Sequence, residues 1–514
     1  MRSPAERQGT FFPGQPPSFP GLRTAADRIG VIDVGSNTVR MVVFEGGNRS
    51  PAMLFNEKVM CALGARLAET GALDPEGKAR AIATLKRFAA IAPALHVGAL
   101  AGVATAAVRD ASDGAAFRDQ VETETGIRLE ILSGVTEARL AAQGVVFGNP
   151  RASGVVVDLG GASMELCRVE NGHAGQGLTT PLGPLRLQAP GVGARAVAAE
   201  IKARVRTLAD AFRIAGGRLY LVGGAWRALG RAHMERTGYP LRVLHEYGMT
   251  IEQALEHADW AAATAPAKIA ALPGVPSSRA PVLPLAGRLL RSLIEHLEPG
   301  DAMISGFGLR EGVCLENMPP ALRARDPLMA AAEKQEVLRA RAPGSGAELA
   351  DWALQIMPAL DPGEERLVRA SAMLADVNWR TNPDYRITGC WETVTRTALT
   401  DLGHSGRVFM GSILSARYKR SRQAGQNAKF PGLLSEDRQF RAFCYGTAFR
   451  LGTAISGSTP GALPDCGVIR TADRLDLEFR GKAADLLGEE VEKRFGRLLR
   501  ALRVSGSIAA APDR

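Results

Sequence analysis

The chain has 514 residues, too many for one hydrophobic core, so several domains are expected. Its composition, 46% hydrophobic and 23% charged, is that of a globular protein, and no apolar run is long enough to span a bilayer. The net charge of +10 favours a polyanionic partner, yet no zinc finger, RNA-binding signature or basic–aromatic platform is present, so nucleic acid is not the expected partner.

Residues 1–27 are rich in Pro, Gly and polar side chains and read as a disordered leader without a signal-peptide core, which points to a cytoplasmic protein. The cysteines are scattered with no CxxC pair, so reduced thiols are expected rather than disulfides or zinc. Val31 to Phe44, VIDVGSNTVRMVVF, reads as a hairpin: apolar strand, Asp33, a turn through Gly35-Ser36-Asn37, and a second apolar strand. A glycine in such a turn lets backbone N–H groups approach an anion closely. Apolar spacing then predicts a helix from about Asp74 to Ala94, and Val97 to Ala101 reads as a buried strand. Leu129 to Gly144 gives a short strand, a Ser-Gly break and a helix beginning near Val135. Glu137 falls in its first turn, where a carboxylate suits the helix dipole whatever else it does.

The opening pattern returns at Val155 to Val169: strand, Asp158, a turn through Gly160-Gly161-Ala162-Ser163, and a strand carrying Glu165. Two such units predict two related halves facing each other across a cleft. A third glycine turn, Gly223-Gly224, follows the apolar run Leu219 to Val222. The basic stretch Ala198 to Ala215 reads as a solvated helix face, Leu285 to Leu297 as an amphipathic helix, and Ala302 to Ser305 as a strand. Residues 319–347 mark a boundary, beyond which periodicity predicts mostly helix, including Leu360–Leu374 and Glu392–Leu402. The C-terminus reads as a strand, an amphipathic helix and a frayed tail.

The paired motifs DVGSNTVRM and DLGGASMEL, with the third turn after them, resemble the exopolyphosphatase/guanosine-pentaphosphate phosphohydrolase (Ppx/GppA) family of the actin-like ATPase superfamily. The resemblance spans about Arg28 to Gly312 and includes VATAAVRD, SGVTEARL and GFGLREGV. It implies an α/β fold of two actin-like (ribonuclease-H-like) lobes, 28–145 and 146–318, around a cleft, and a mostly helical HD-like domain at 330–514. It implies that Glu137 activates the attacking water and that Arg109 faces the phosphate site. Asp33, Asp158 and Glu165 would then complete the catalytic set by holding Mg2+ or another divalent cation. The turns Gly35-Ser36-Asn37 and Gly160-Gly161-Ala162-Ser163 would clamp the terminal phosphate.

This sequence departs from the family pattern in several places. Ala162 replaces a glycine, Met164 replaces a threonine hydroxyl, and Arg279-Ala280-Pro281 lacks an acidic residue. In the C-terminal domain Ala375-Asp376 and Asn382 stand where metal-binding histidines would be, so that domain reads as degenerate, with Asp376 structural. Arg417, Lys419, Arg420 and Arg422 read either as a solvated face or as a rim guiding polyphosphate to the cleft.

The resemblance implies processive removal of terminal phosphate from inorganic polyphosphate by a homodimer with no membrane partner. Hydrolysis of guanosine pentaphosphate (pppGpp) is the nearest alternative, with guanosine tetraphosphate as a further ligand. A sugar or acid kinase would need an adenosine pocket at Gly223-Gly224, where Trp226 and Arg227 add bulk. A non-catalytic polyphosphate or nucleotide sensor is the remaining alternative.

Overall fold

The computed structural model describes residues 28–188, 193–397, 399–418, 430 and 432–510. The expected leader, 1–27, lies outside them, as do Lys419, Arg420 and Arg422. The chain divides into two compact units between Ala324 and Arg325, inside the expected boundary. Among the described residues no helix is long and apolar enough to cross a membrane.

The first unit is built on two sheets. One holds β1 (Arg28–Val34), β2 (Thr38–Phe44), β3 (Met53–Met60), β4 (Val97–Ala104) and β5 (Leu129–Ile131), in the order β3-β2-β1-β4-β5. The other holds β6 (Gly154–Leu159), β7 (Met164–Glu170), β8 (His173–Thr180), β9 (Arg218–Val222), β10 (Tyr247–Thr250) and β11 (Asp301–Ile304), in the order β10-β11-β9-β6-β7-β8. In both, a hairpin leads into a parallel crossover: β1 pairs β2 antiparallel and β4 parallel, and β6 pairs β7 antiparallel and β9 parallel. The predicted two halves are therefore present.

Local signals set the elements. Pro75–Ala94 starts where the Asp74 side chain accepts from the Gly77 amide, with Pro75 preset for the first turn. Gly134–Gly148 starts at Ser133, whose hydroxyl accepts from the Thr136 amide at 3.1 Å. The apolar faces of the strands fill two separate outer cores, one around Ile32, Met41, Leu85 and Phe88, the other around Val157, Leu221, Trp226 and Leu289. A third core joins the halves: Val31, Leu140, Phe147, Val156, Tyr220 and Val313 pack together. The sequence boundary at 145/146 is thus blurred. The Gly134–Gly148 helix packs on β7 and β8 as well as on the closing Leu309–Glu316 helix, which in turn packs on β1.

The second unit is mostly helical around a core that includes Trp352, Phe409, Phe449 and Phe479. It also holds a sheet of β12 (Cys466–Arg470), β13 (Leu475–Phe479) and β14 (Ile508–Ala510). The expected frayed tail is corrected at β14, which pairs with β13 in parallel. The predicted helix Glu392–Leu402 is corrected too: helix runs Arg386–Arg396 and ends there. Leu360–Leu374 agrees with Pro362–Met373.

Arg417 is not a rim residue. It is 7% exposed, donates to Asp376 Oδ1 at 3.2 Å and to the Tyr418 hydroxyl at 2.8 Å, and also donates to the Ala375 carbonyl. Arg341 meets the same Asp376 carboxylate at 2.9 Å. A buried guanidinium held by an aspartate, a carbonyl and a phenol is turned inward rather than towards a passing polyanion. Asp376 is structural, as the sequence suggested.

Candidate active site

Each hairpin closes its turn by the same bond. The Gly35 amide donates to the Thr38 carbonyl at 2.9 Å, and the Gly160 amide donates to the Ser163 carbonyl at 3.0 Å. The turns meet tip to tip. A Cβ placed on Gly161 would lie 3.2 Å from Ser36 Cβ, so a side chain there would push the halves apart. Ala162 does not adopt a positive φ, and the turn survives its missing glycine. Met164 is fully buried in the outer core. Strand alternation aims it away from the turn and turns Glu165 towards it, so Met164 withdraws no hydroxyl from the site.

Between the turns lies a cavity of about 220 Å³. Of the expected residues, Asp33, Gly35, Ser36, Asn37, Glu137, Asp158, Gly160, Gly161 and Ser163 line it, whereas Arg109, Ala162 and Glu165 do not. Arg109 stands behind Glu137 and donates to Glu137 Oε2 at 2.7 Å and to the Leu132 carbonyl at 3.2 Å. Glu165 is 1% exposed and accepts from the Thr179 hydroxyl at 2.8 Å.

The carboxylates crowd one another. Burial pushes the Glu137 carboxyl up to about 7; Arg109 pulls it down, and Asp158 and Asp33 push it further up. Burial likewise raises Asp158 to about 6, with Arg227 opposing and Asp33 adding. Glu165 is held well above the usual range by burial and then by Glu137 and Asp158.

The opposite wall is cationic, and sequence reading missed it. Arg40 on β2, Lys58 on β3, Arg227 after the third turn, Arg279 and Arg310 all line the cavity. Arg310 donates to Asp33 Oδ2 at 2.8 Å, while its buried Nε has no hydrogen-bond partner among the described residues. The side chains of Lys58, Arg227 and Arg279 form no hydrogen bond or ion pair with described residues. Burial and then Arg310 lower Arg40 to about 10, and loss of solvation followed by Arg279, Arg40, Arg227 and Arg310 lowers Lys58. Cations crowded together with fewer carboxylates than charges favour an anion. One signal was available: Arg40 interrupts an otherwise apolar strand. The third turn was also misjudged. Gly223 has φ 117° and passes so close to Leu159 that a Cβ would meet its carbonyl at 2.7 Å. Trp226 is buried in the outer core and adds no bulk to the cavity; Arg227 does face it.

Strand register orders these charges. Across the first sheet, Asp33 pairs with Arg40 and Arg40 with Lys58. Across the second, Asp158 pairs with Glu165 and Glu165 with Thr179. The first rung thus continues into cations and the second into an acid, and the two sets meet where Arg310 pairs with Asp33.

Among the described residues, no three or more His, Cys, Asp or Glu side chains are grouped to hold a metal ion. The expected set of Asp33, Asp158 and Glu165 is not gathered into one cluster among the described residues, where Asp33 pairs with Arg310. A magnesium ion needs only one or two protein carboxylates when phosphate oxygens and water complete its shell. Asp158 and the Glu165 carboxyl beside it, each raised by burial and by neighbouring carboxylates, are hard oxygen donors, and they fit that partial set.

The Ppx/GppA phosphatase family matches residues 42–321, more than half of the chain. The chain belongs to that family. Residues 328–508 match the family's exopolyphosphatase C-terminal domain. A relative named exopolyphosphatase 1, from Mycobacterium leprae, is 35% identical over 171 residues, covering 31% of this chain and 48% of that protein. A guanosine-5'-triphosphate,3'-diphosphate pyrophosphatase from Aliivibrio fischeri is 33% identical over 160 residues, covering 30% of this chain and 32% of its own. The match to the M. leprae protein thus spans about half of that relative's length. The crystal structure of the Aquifex aeolicus Ppx/GppA family member superposes with a TM-score of 0.50 at 22% identity, covering 56% of this chain and 96% of that one. The first unit therefore has the two-lobed, actin-like Ppx/GppA fold.

Proposed function

We propose that this protein is an exopolyphosphatase, hydrolysing the terminal phosphoanhydride bond of inorganic polyphosphate and releasing orthophosphate. One observation carries the reading: a small cavity holds a buried glutamate poised near pH 7 and a cationic wall in which Lys58, Arg227 and Arg279 pair with no described residue. A base is most effective when its pKa lies near the working pH, and phosphoryl transfer depends on positioning and on absorbing charge. The facing turns offer Ser36, Asn37, Ser163 and backbone amides to the terminal phosphate. Glu137 orients the attacking water and takes its proton, and Arg109, bonded to the other side of that carboxylate, fixes its direction. Arg310 and Arg227 meet the charge that builds on the bridging oxygen. Asp158, with Glu165 beside it, would hold a divalent cation, which neutralises phosphate charge when bound. The C-terminal unit, its Asp376 locked between two arginines, is non-catalytic in this reading.

Guanosine pentaphosphate is the second reading, favoured by the A. fischeri relative's name and by the same cavity. The test is phosphate release from long-chain polyphosphate and from guanosine pentaphosphate with magnesium, for wild type and Glu137→Ala. Release from polyphosphate that the substitution abolishes supports the first reading. Release from the nucleotide alone transfers it to the second. Binding without release from either makes the protein a sensor and ends the enzyme reading.

A further inference from the structure

Lys58 has no role in the chemistry above, yet its position is defined. It occupies the third place on the rung that starts at Asp33, with Arg40 between them. Adjacent strands stand about 4.8 Å apart, so Lys58 projects from a point roughly 10 Å beyond the Asp33 strand. Its neighbours by charge are Arg279, Arg40, Arg227 and Arg310, all cationic. Glu57 and Asn56, the adjacent polar residues on β3, are taken by Arg87 and Arg40 respectively. Among the described residues no carboxylate pairs with Lys58, which is exposed on an edge strand but still lines the cavity. An ammonium group facing four guanidinium groups raises the energy of the empty site, and a bound anion relieves that repulsion.

From this geometry we infer that Lys58 determines specificity by binding a phosphate group well behind the scissile one, so that it discriminates long polyphosphates and doubly phosphorylated nucleotides from short linear chains. The inference rests on the functional reading above. With the terminal phosphate held between the two turns, each added phosphate carries the chain further towards the strand of Lys58, two places out from Asp33. Longer inorganic chains reach it directly. A guanosine nucleotide phosphorylated at both ends reaches it with its second phosphate group. The common ligand chemistry is a phosphate separated from the reacting centre.

The experiment compares wild type, Lys58→Gln and Lys58→Arg on tripolyphosphate, long-chain polyphosphate and guanosine pentaphosphate. Both kcat/KM and calorimetric affinity are read at low salt. Lys58→Gln should weaken long-chain polyphosphate, guanosine pentaphosphate or both by about tenfold, chiefly in KM, with a much smaller change for tripolyphosphate. Lys58→Arg should restore most of the loss. Loss confined to the inorganic chain assigns the contact to its later phosphates, and loss confined to the nucleotide assigns it to the second phosphate group. Equal loss on all three ligands, or loss on none, overturns the inference. The affinity arm keeps the two claims separate: wild type that binds but never releases phosphate defeats the enzymatic reading, while a length-dependent loss of binding still upholds Lys58.

Discussion

In the first sheet the rung that starts at Asp33 continues outward as Arg40 and Lys58; in the second, the rung that starts at Asp158 continues as Glu165 and Thr179. The two hairpins share strand pairing, turn closure and the place of the aspartate. They differ in what stands beside it. A cation next to Asp33 tolerates phosphate, and a buried glutamate next to Asp158 concentrates negative charge that a proton or metal ion must offset. Repetition of one backbone device has therefore produced two rungs of unlike charge.

That division can be broken in stages. The largest effect belongs to Glu137, which meets the water: Glu137→Gln should lower kcat by about a thousandfold while polyphosphate binding persists in calorimetry. Next come the middle places of the rungs. Glu165→Gln should cost about a hundredfold, chiefly in kcat, whereas Arg40→Gln should cost about tenfold, chiefly in KM. If both substitutions move the same constant, the two rungs do not differ in role.

The pH profile sharpens the comparison further. Glu137 must be ionised to accept a proton, so kcat/KM should rise with pH through about 7. Asp158 pushes that carboxyl up and Arg109 pulls it down. Asp158→Asn should therefore move the acid limb to lower pH and Arg109→Gln to higher pH, whatever either does to the maximal rate. Identical limbs in all three proteins would remove Glu137 as the titrating base. The smallest effect is expected at the end of the second rung: Thr179→Val, which deletes the 2.8 Å bond to Glu165, should lower kcat about threefold.

The hairpins were legible in the sequence because period-two alternation and glycine turns are local signals, and Asp33 and Asp158 sit at their ends. Glu137 was placed by its Ser-Gly helix start. The cationic wall was not legible, since Arg40, Lys58, Arg227, Arg279 and Arg310 come from separate elements that only the tertiary fold brings together. Arg417 was misread for the converse reason. Its basic neighbours suggested a surface, while its actual partner, Asp376, lies far away in sequence. Met164 was misjudged by chemistry without direction: on a strand, one residue's shift reverses the face.

The Asp33–Arg310 bond joins positions 277 residues apart. At typical synthesis speeds of 5–20 residues per second, Arg310 leaves the ribosome roughly 15–55 s after Asp33. Through that interval the first hairpin can form, but its aspartate has no guanidinium and its cavity no far wall. A growing or truncated chain would thus carry the first glycine turn with its aspartate unpaired, and the ion pair would form only when the closing helix docks.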